Sequence, residues 1–398
     1  MFVAIRDLRF AKGRFALMGA VVALITLLVV LLSGLTVGLG RGNTSAVTNL
    51  TADHLVFEAP PAGQKLDFTT SSVGPSVRAS WSHVPGVRRA EPVVVSMTRA
   101  SGGGRTTAVA VFAVPDGSSL APGGVNGAGE AGAPGGVAAD RVVLSAGAAA
   151  ALDVTAGDRI DLDGQSVTVG EVSGTDEFSH APVVWAATAN APASGLEPGH
   201  ATFLALTTGD AERPAAGAEG ADGADGSAGV GSDAGANLGA DLAAADQRLG
   251  TVTLTPAESV SAIGSFSSEN GSLQLMRALL FAISALVIGA FFTVWTVQRS
   301  GEIAILKAVG ASTRYLLGDA LGQALVLLLV GTALGSAVAA AVGSVITATV
   351  GSAVPFVLDL PTLLVPVVVM TVLGLAGAAF SLRTVTTVDP LTALGSSR

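Results

Sequence analysis

FALMGAVVALITLLVVLLSGLTVGLG, residues Phe15–Gly40, contains no Asp, Glu, Lys or Arg. A helix needs about 20 apolar residues to cross the hydrocarbon core of a bilayer, so this stretch is long enough to span one. The same absence of charge recurs over Ala278–Gln298, Ala320–Leu358 and Leu360–Leu382. Four spans are the simplest reading. Their spacing is lopsided: one span, a long polar stretch, then three spans close together. The fold expected is a multi-pass α-helical membrane protein with four transmembrane helices (1 + 3) and an α+β extracytoplasmic domain between helices 1 and 2.

Composition fits that layout. Of 398 residues, 50% are hydrophobic and 13% charged, with a mean hydropathy of +0.62, values suited to a membrane protein that also carries a soluble domain. There is no cysteine, which excludes disulfides, Cys-ligated zinc, iron–sulfur clusters and thiol catalysis. The formal net charge is −9, and it is unevenly placed: residues 41–277 carry 12 Lys and Arg against 25 Asp and Glu. So acidic a domain is a poor partner for nucleic acid. The first span begins with a basic segment, as a signal peptide does, but its apolar run is far longer than a signal's and no clear A-x-A site follows, so it reads as an uncleaved anchor.

Short loops rich in Lys and Arg stay in the cytoplasm. The N-terminal tail carries Arg6, Arg9, Lys12 and Arg14 against Asp7. The loop after the second span carries Arg299, Lys307 and Arg314 against Glu302 and Asp319, and the C-terminal tail Arg383 and Arg398 against Asp389. The remaining short loop holds only Asp359. With four spans every loop agrees. The expected organisation is a cytoplasmic amphipathic helix over 1–14, transmembrane helix 1 over 15–40, an extracytoplasmic domain over 41–275, and transmembrane helix 2 over 276–298. A cytoplasmic segment over 299–319 follows, then helix 3 over 320–346, a short outer loop over 347–359, helix 4 over 360–382 and a cytoplasmic tail over 383–398.

Within the outer domain, alternating runs predict strands at His54–Phe57, Ala90–Met97 and Thr107–Val114, with turns at Pro85–Gly86 and Gly102–Gly104. Val142–Gly174 reads as a strand, a small helix over 145–152, a Gly157–Asp158 turn and two strands around Asp163–Gly164. Two low-complexity inserts, about 117–138 and 209–245, are rich in Gly and Ala. The second reads as a mobile linker, or else as a contact arm for a partner.

Three features carry functional information. VQRSGEIAILKAVGASTRYLL (Val297–Leu317) reads as a short amphipathic helix ended by Gly310, with Ser312 or Thr313 capping the next. It is either an ordinary interfacial helix or one that docks on a motor subunit. Met1–Arg14 places Phe2, Ile5 and Leu8 at helical spacing among bases, as in a segment lying on a lipid surface. Small-residue pairs Gly34/Gly38, Gly318/Gly322 and Gly331/Gly335 allow close helix contact and are compatible with a homodimer. Absences inform too. No G-x-x-x-x-G-K-[ST] occurs, the spans lack ionisable residues, and there is no H-E-x-x-H or G-x-S-x-G. The chain is expected to be non-catalytic, without cofactor or metal site, and to draw any energy from another polypeptide.

GEIAILKAVGAS (Gly301–Ser312), VVLSAGAAAALDVTAGDRIDL (Val142–Leu162) and VDPLTALG (Val388–Gly395) resemble three elements of the MacB-like/FtsX-like permeases of ATP-binding-cassette systems. The resemblance covers nearly the whole chain, and the opening AIRDLRFAKGRFALMGAVVALITLLVVLLSGL is most similar to the DevC/Hrt-type branch, which includes haem exporters. It implies a homodimer in the bacterial plasma membrane, both termini cytoplasmic, working with a separate ATPase subunit that Glu302, Ile303, Leu306, Lys307 and Gly310 would contact. It also implies mechanotransmission, in which closure on the inside moves the outer domains, and export of a hydrophobic or amphiphilic substrate such as haem. The alternative is an FtsX-like regulator that activates an extracytoplasmic cell-wall hydrolase. Gly301 departs from the Arg usual in the family, and the inserts are unusual. Haem ligation would need His, Met or Tyr near the outer membrane face; the candidates are His54, His83, Met97, His180 and His200, none in a paired motif.

Overall fold

The computed structural model describes residues 12–122, 137–192, 194–209, 231–298, 301, 305, 309–310, 312–350 and 356–386. The chain divides into two compact units: residues 1–39 with 270–398, and residues 40–269.

The second unit is built on one long strand. β2 (Val87–Gly102) pairs through its first half with β9 (Phe203–Thr208) and through its second half with β3 (Arg105–Val114). On one side the sheet runs β10 (Thr251–Leu254), β1 (His54–Glu58), β9, β2, all antiparallel. On the other, β2 and β3 continue into β8 (Ala181–Ala187), β4 (Arg141–Leu144), β6 (Gln165–Val172) and β5 (Arg159–Leu162). β5 then pairs back to β2 at Ala100↔Leu162, closing the six strands into a ring. The ring holds Val109, Val111, Val142, Leu144, Ile160, Leu162, Val167 and Val184, stoppered by Ala148 and Leu152 of α3 (Ala146–Leu152). Ser145 caps α3 by accepting from the Ala148 N–H, which satisfies one of the helix's orphan donors.

Alternation decides the layers, because successive strand residues face opposite ways. In β1, Leu55 and Phe57 enter an aromatic core with Phe68, Phe112, Phe178, Trp185 and Phe203. Val56 faces the other way, onto Trp81 of α2 (Pro75–Trp81) and Leu242 and Ala245 of α4 (Gly231–Leu249). α4 corrects the reading of residues 209–245 as a mobile linker over its described part, 231–245. Leu238, Leu242 and Leu249 recur at 4 and 7 residues on one face and pack against the sheet, so the segment buries apolar surface that its average composition hides. Leu120, Ala121 and Val137 at the ends of the 117–138 insert are likewise in the core. The middles of both inserts, 123–136 and 210–230, lie outside the described residues.

The other unit holds the helices long and apolar enough to cross a membrane, four among the described residues. They belong to α1 (Lys12–Thr48), α6 (Gly264–Gln298), α7 (Thr313–Val350) and α8 (Leu360–Thr386). Their shared core includes Met18, Val22, Val29, Ile288, Phe292, Leu328 and Met370. Small residues set the spacing. A methyl group built on Gly335 would lie 2.4 Å from the Ala23 carbonyl oxygen, and one on Gly331 2.8 Å from Val22. These two glycines therefore seat α7 on α1 within one chain and are not a free dimer face. Gly34 and Gly343 make room for the ring of Phe356, and the Val357 N–H donates to the Gly34 carbonyl at 3.2 Å. A methyl group built on Gly318 or Gly322 would meet none of the described residues outside its own helix within 4 Å.

Gly335→Val forces α7 away from α1 at backbone level. Overpacking of this kind costs about 1–3 kcal/mol, so the variant should melt several degrees below wild type in detergent, while Gly322→Ala should melt within about a degree of it.

Candidate functional site

A polar cluster of the outer unit lies where α1 ends, α6 begins and one short hairpin turns. The hairpin is β7 (Glu177–Phe178) paired with the start of β8, and Ser179 and His180 form its two-residue turn. Phe178 buries in the aromatic core, which turns Glu177, Ser179 and His180 toward the helices. Both turn residues have positive φ, 53° and 61°, a geometry in which hairpins usually carry Asn-Gly. Left-handed backbone at non-glycine residues is unfavourable by about 1–3 kcal/mol each and persists where the surroundings over-determine it. Here they do. The Ser179 N–H donates to the Asn43 carbonyl at 3.1 Å and the His180 N–H to the Gly42 carbonyl at 3.0 Å, so the tip is hydrogen-bonded to the last turns of α1.

Side chains extend the contact. Ser45 Oγ accepts from the Glu177 N–H at 2.9 Å and donates to its carbonyl at 3.2 Å. Ser265 Oγ donates to Asn43 Oδ1 at 2.7 Å and lies 2.7 Å from Ser179 Oγ. His180 Nε2 is 2.8 Å from Glu269 Oε2, and Asn43 Nδ2 is 3.1 Å from His180 Nε2 and 3.2 Å from Glu269 Oε2. Gly42 is needed for the fit, since a methyl group there would lie 2.7 Å from Glu177 Oε2. Burial pushes the Glu177 carboxyl above its ordinary range, with His180 pulling it back. Burial likewise raises Asp176, against the hydrogen bond from Asn49 at 2.8 Å.

The sequence candidates for haem ligation are scattered. His54 starts β1 opposite Leu206. His83 follows α2, its Nδ1 2.7 Å from the Ala79 carbonyl. Met97 is exposed on β2. His200 meets Ser72 at 2.9 Å and Glu197 at 3.5 Å. Among the described residues no two of these histidines share a hydrogen-bond partner; His180 joins Asn43 and Glu269, and His200 joins Ser72 and Glu197. Among the described residues no group of three or more His, Asp and Glu could hold a metal ion. Of the expected ATPase-contact residues, Glu302, Ile303, Leu306 and Lys307 lie outside the described residues. Gly310 has φ +105°, directly after a helical bond from the Val309 N–H to the Ile305 carbonyl. Ser312 Oγ then accepts from the Tyr315 N–H at 3.3 Å, capping α7.

Carboxyls whose folded-state pKa is raised hold their protons more tightly folded than unfolded. Stability from Glu177 and Asp176 is therefore fully present below their ordinary pKa values of 4.5 and 3.8 and is lost as pH climbs through the higher folded values. Glu177→Gln should flatten the pH dependence of melting temperature just above pH 4.5 and leave the protein no less stable than wild type at pH 7, as a pH series of thermal melts will show.

Two family descriptions match the chain: the MacB-like periplasmic core domain over residues 15–224 and the FtsX-like permease C-terminal region over residues 275–390. Among relatives, the putative hemin transport system permease protein HrtB of Staphylococcus epidermidis is 31% identical over 149 residues, covering 37% of this chain and 41% of that one. Its counterpart in Staphylococcus haemolyticus is 37% identical over 133 residues, covering 33% and 37%. An uncharacterized ABC transporter permease of Mycobacterium tuberculosis is 29% identical over 124 residues, covering 31% and 34%. The chain thus spans about two fifths or less of the length of these relatives. The periplasmic region of MacB from Actinobacillus actinomycetemcomitans superposes with a TM-score of 0.32 at 10% identity, over 55% of this chain and 92% of that one, an overlap that carries no argument. The core-domain match takes in more than half of the residues, the permease match takes in the three later helices, and the chain belongs to the family of MacB-like, FtsX-like permeases.

Proposed function

We propose that this chain is the membrane subunit of an ATP-binding-cassette export or mechanotransmission system, with ATP hydrolysed by a separate subunit. The observation that carries the reading is the order of parts: one candidate span, the family's outer core domain, then three candidate spans within the family's permease region. The sequence has no phosphate-binding loop, and none of its three lysines stands in a glycine-rich one, so the energy source belongs to a partner. Segment 299–319, with Glu302, Ile303, Leu306, Lys307 and Gly310, is its docking element on the cytoplasmic side. The charge asymmetry of the short loops supports both termini lying there as well. The subunit acts as a homodimer.

The substrate is hydrophobic or amphiphilic, engaged at the membrane or outside it, because the long charge-free stretches of the four helices, such as Phe15–Gly40 and Leu360–Leu382, offer no ionisable residue to guide a polar solute. Haem is the first compound to test, as the Staphylococcus relatives bear a hemin-transport name. His54, His83, Met97 and His180 are the outer residues to screen as ligands.

Co-purification in mild detergent tests the reading. Wild type should bring down an ATPase subunit, and the Glu302→Arg, Lys307→Glu double variant should lose it. A well-folded wild-type protein that brings down none contradicts the proposal. Cells lacking the chain should become sensitive to haem; division or cell-wall defects without that sensitivity would favour the cell-wall regulator instead.

A further inference from the structure

We infer that Arg277 binds the anionic head, carboxylate or phosphate, of an amphiphile whose tail lies in the membrane. The inference rests on the reading that this chain handles an amphiphilic substrate and does not need the ATPase partner.

α6 buries one stripe of its surface. Ser284, Ile288, Phe292 and Thr296 are buried at a spacing of four, and Leu280 and Phe281 pack against the same core of the membrane helices. A helix brings residues three and four apart onto one face. Arg277, four residues before Phe281 and seven before Ser284, therefore continues that stripe toward the domain side and is itself half-buried. The other faces carry Met276, Leu279, Ile283 and Leu286, all exposed, as suits contact with lipid tails. Arg277 stands with the residues that meet the bundle.

Depth follows from one crossing. A methyl group built on Gly377 of α8 would lie 3.3 Å from the Gly289 Cα of α6, so the two helices touch there. In the order of the spans both helices run away from the domain side. At 1.5 Å per residue, Arg277 is about 18 Å from that crossing, and Leu360, the first residue of α8, about 26 Å. The backbone of Arg277 is thus about 8 Å short of the level at which α8 begins, within the margin of the apolar layer.

The charge there has no acid to meet it. The guanidinium lies 5.7 Å from the centroid of the Phe281 ring, a cation–π contact, and among the described residues Arg277 has no ion pair. Asp359, the acid at the same end of this unit, accepts from the Thr362 N–H at 3.1 Å and from the Thr362 hydroxyl, which caps α8. A long basic side chain at the edge of a bilayer extends its head to water; here a ring one turn deeper holds it. A guanidinium carries five N–H donors in a planar fork. Stacked by one face on the ring, it keeps that edge for a carboxylate or phosphate, which the fork meets with two parallel bonds. A charge at this depth is costly without a partner, and an amphiphile brings one to the level where its head gives way to its tail.

Photo-cross-linking of the full chain in nanodiscs of zwitterionic phosphatidylcholine tests this. The probes are a long-chain carboxylic acid with a diazirine in its tail and the methyl ester of the same acid, at about pH 8.5, where the acid is ionised. Mass spectrometry reads the label on the α6 peptide that contains Arg277. The acid should label about tenfold more than the ester, the advantage of a hydrogen bond to a charged group. Arg277→Gln should abolish the preference, and Arg277→Lys, which keeps the charge, should retain part of it. Neither variant leaves an acid unpaired, so both should melt as wild type does. A second arm adds excess anionic phosphatidylglycerol to the discs, and the preference should persist. Its loss there marks a site for bulk anionic lipid and overturns the assignment to a substrate. Equal labelling by acid and ester, or a preference kept in Arg277→Gln, overturns the site itself. Either of those results beside successful co-purification of an ATPase sinks the head-group assignment alone.

Discussion

Hydrocarbon tolerates a helix because every backbone group is paired within it, and it fixes how much helix it needs. About 20 residues suffice, yet α1 has 37 and α6 has 35. At 1.5 Å per residue these are helices of about 55 and 52 Å facing a core of about 30 Å. The surplus has to be satisfied elsewhere, and here it belongs to the outer unit. Ala46 and Val47 at the end of α1, with Leu50 just beyond, are buried in the aromatic core, and Ile263 and Phe266 at the start of α6 pack against it. The outer domain's own core thus incorporates turns of the two helices that lead to it. The Ser179–His180 turn lies over that entry and closes it with polar contacts that the apolar core could not provide.

Lipid offers little hydrophobic drive for helix association, so packing has to come from close approach. Gly331 and Gly335 against Val22 and Ala23, and Gly374 against Leu328, supply it. This bears on the glycine pairs visible in the sequence. Spacing shows that two helices can approach but not which two, and within this chain the pair in α7 is committed to α1.

Much of the fold was legible. The spans follow from missing charge, the strands from alternation, and α3 with its flanking strands from a short run of cap, apolar and turn residues. Misread were places where averages mislead. The 209–245 insert looks like linker by composition, but Leu238, Leu242 and Leu249 make a face of α4. α1 and α6 outrun their apolar stretches because Asn43, Thr44, Ser45, Ser265 and Glu269 are polar for a reason the sequence does not display. Their partners lie far along the chain: Asn43 is 137 residues from His180 and 226 from Glu269. His180 was one of several lone histidines until the fold gave it neighbours. Resemblance, by contrast, carried the family, and the matches over 15–224 and 275–390 bear it out.

The central claim is that the outer hairpin and the base of α6 hold one another at the turn. The natural absence of cysteine makes a clean test available. With Ser179→Cys and Ser265→Cys introduced together, where the native hydroxyls are 2.7 Å apart, mild oxidation of the folded protein should form a disulfide that a reductant reverses. Failure to cross-link in the folded protein would contradict the arrangement.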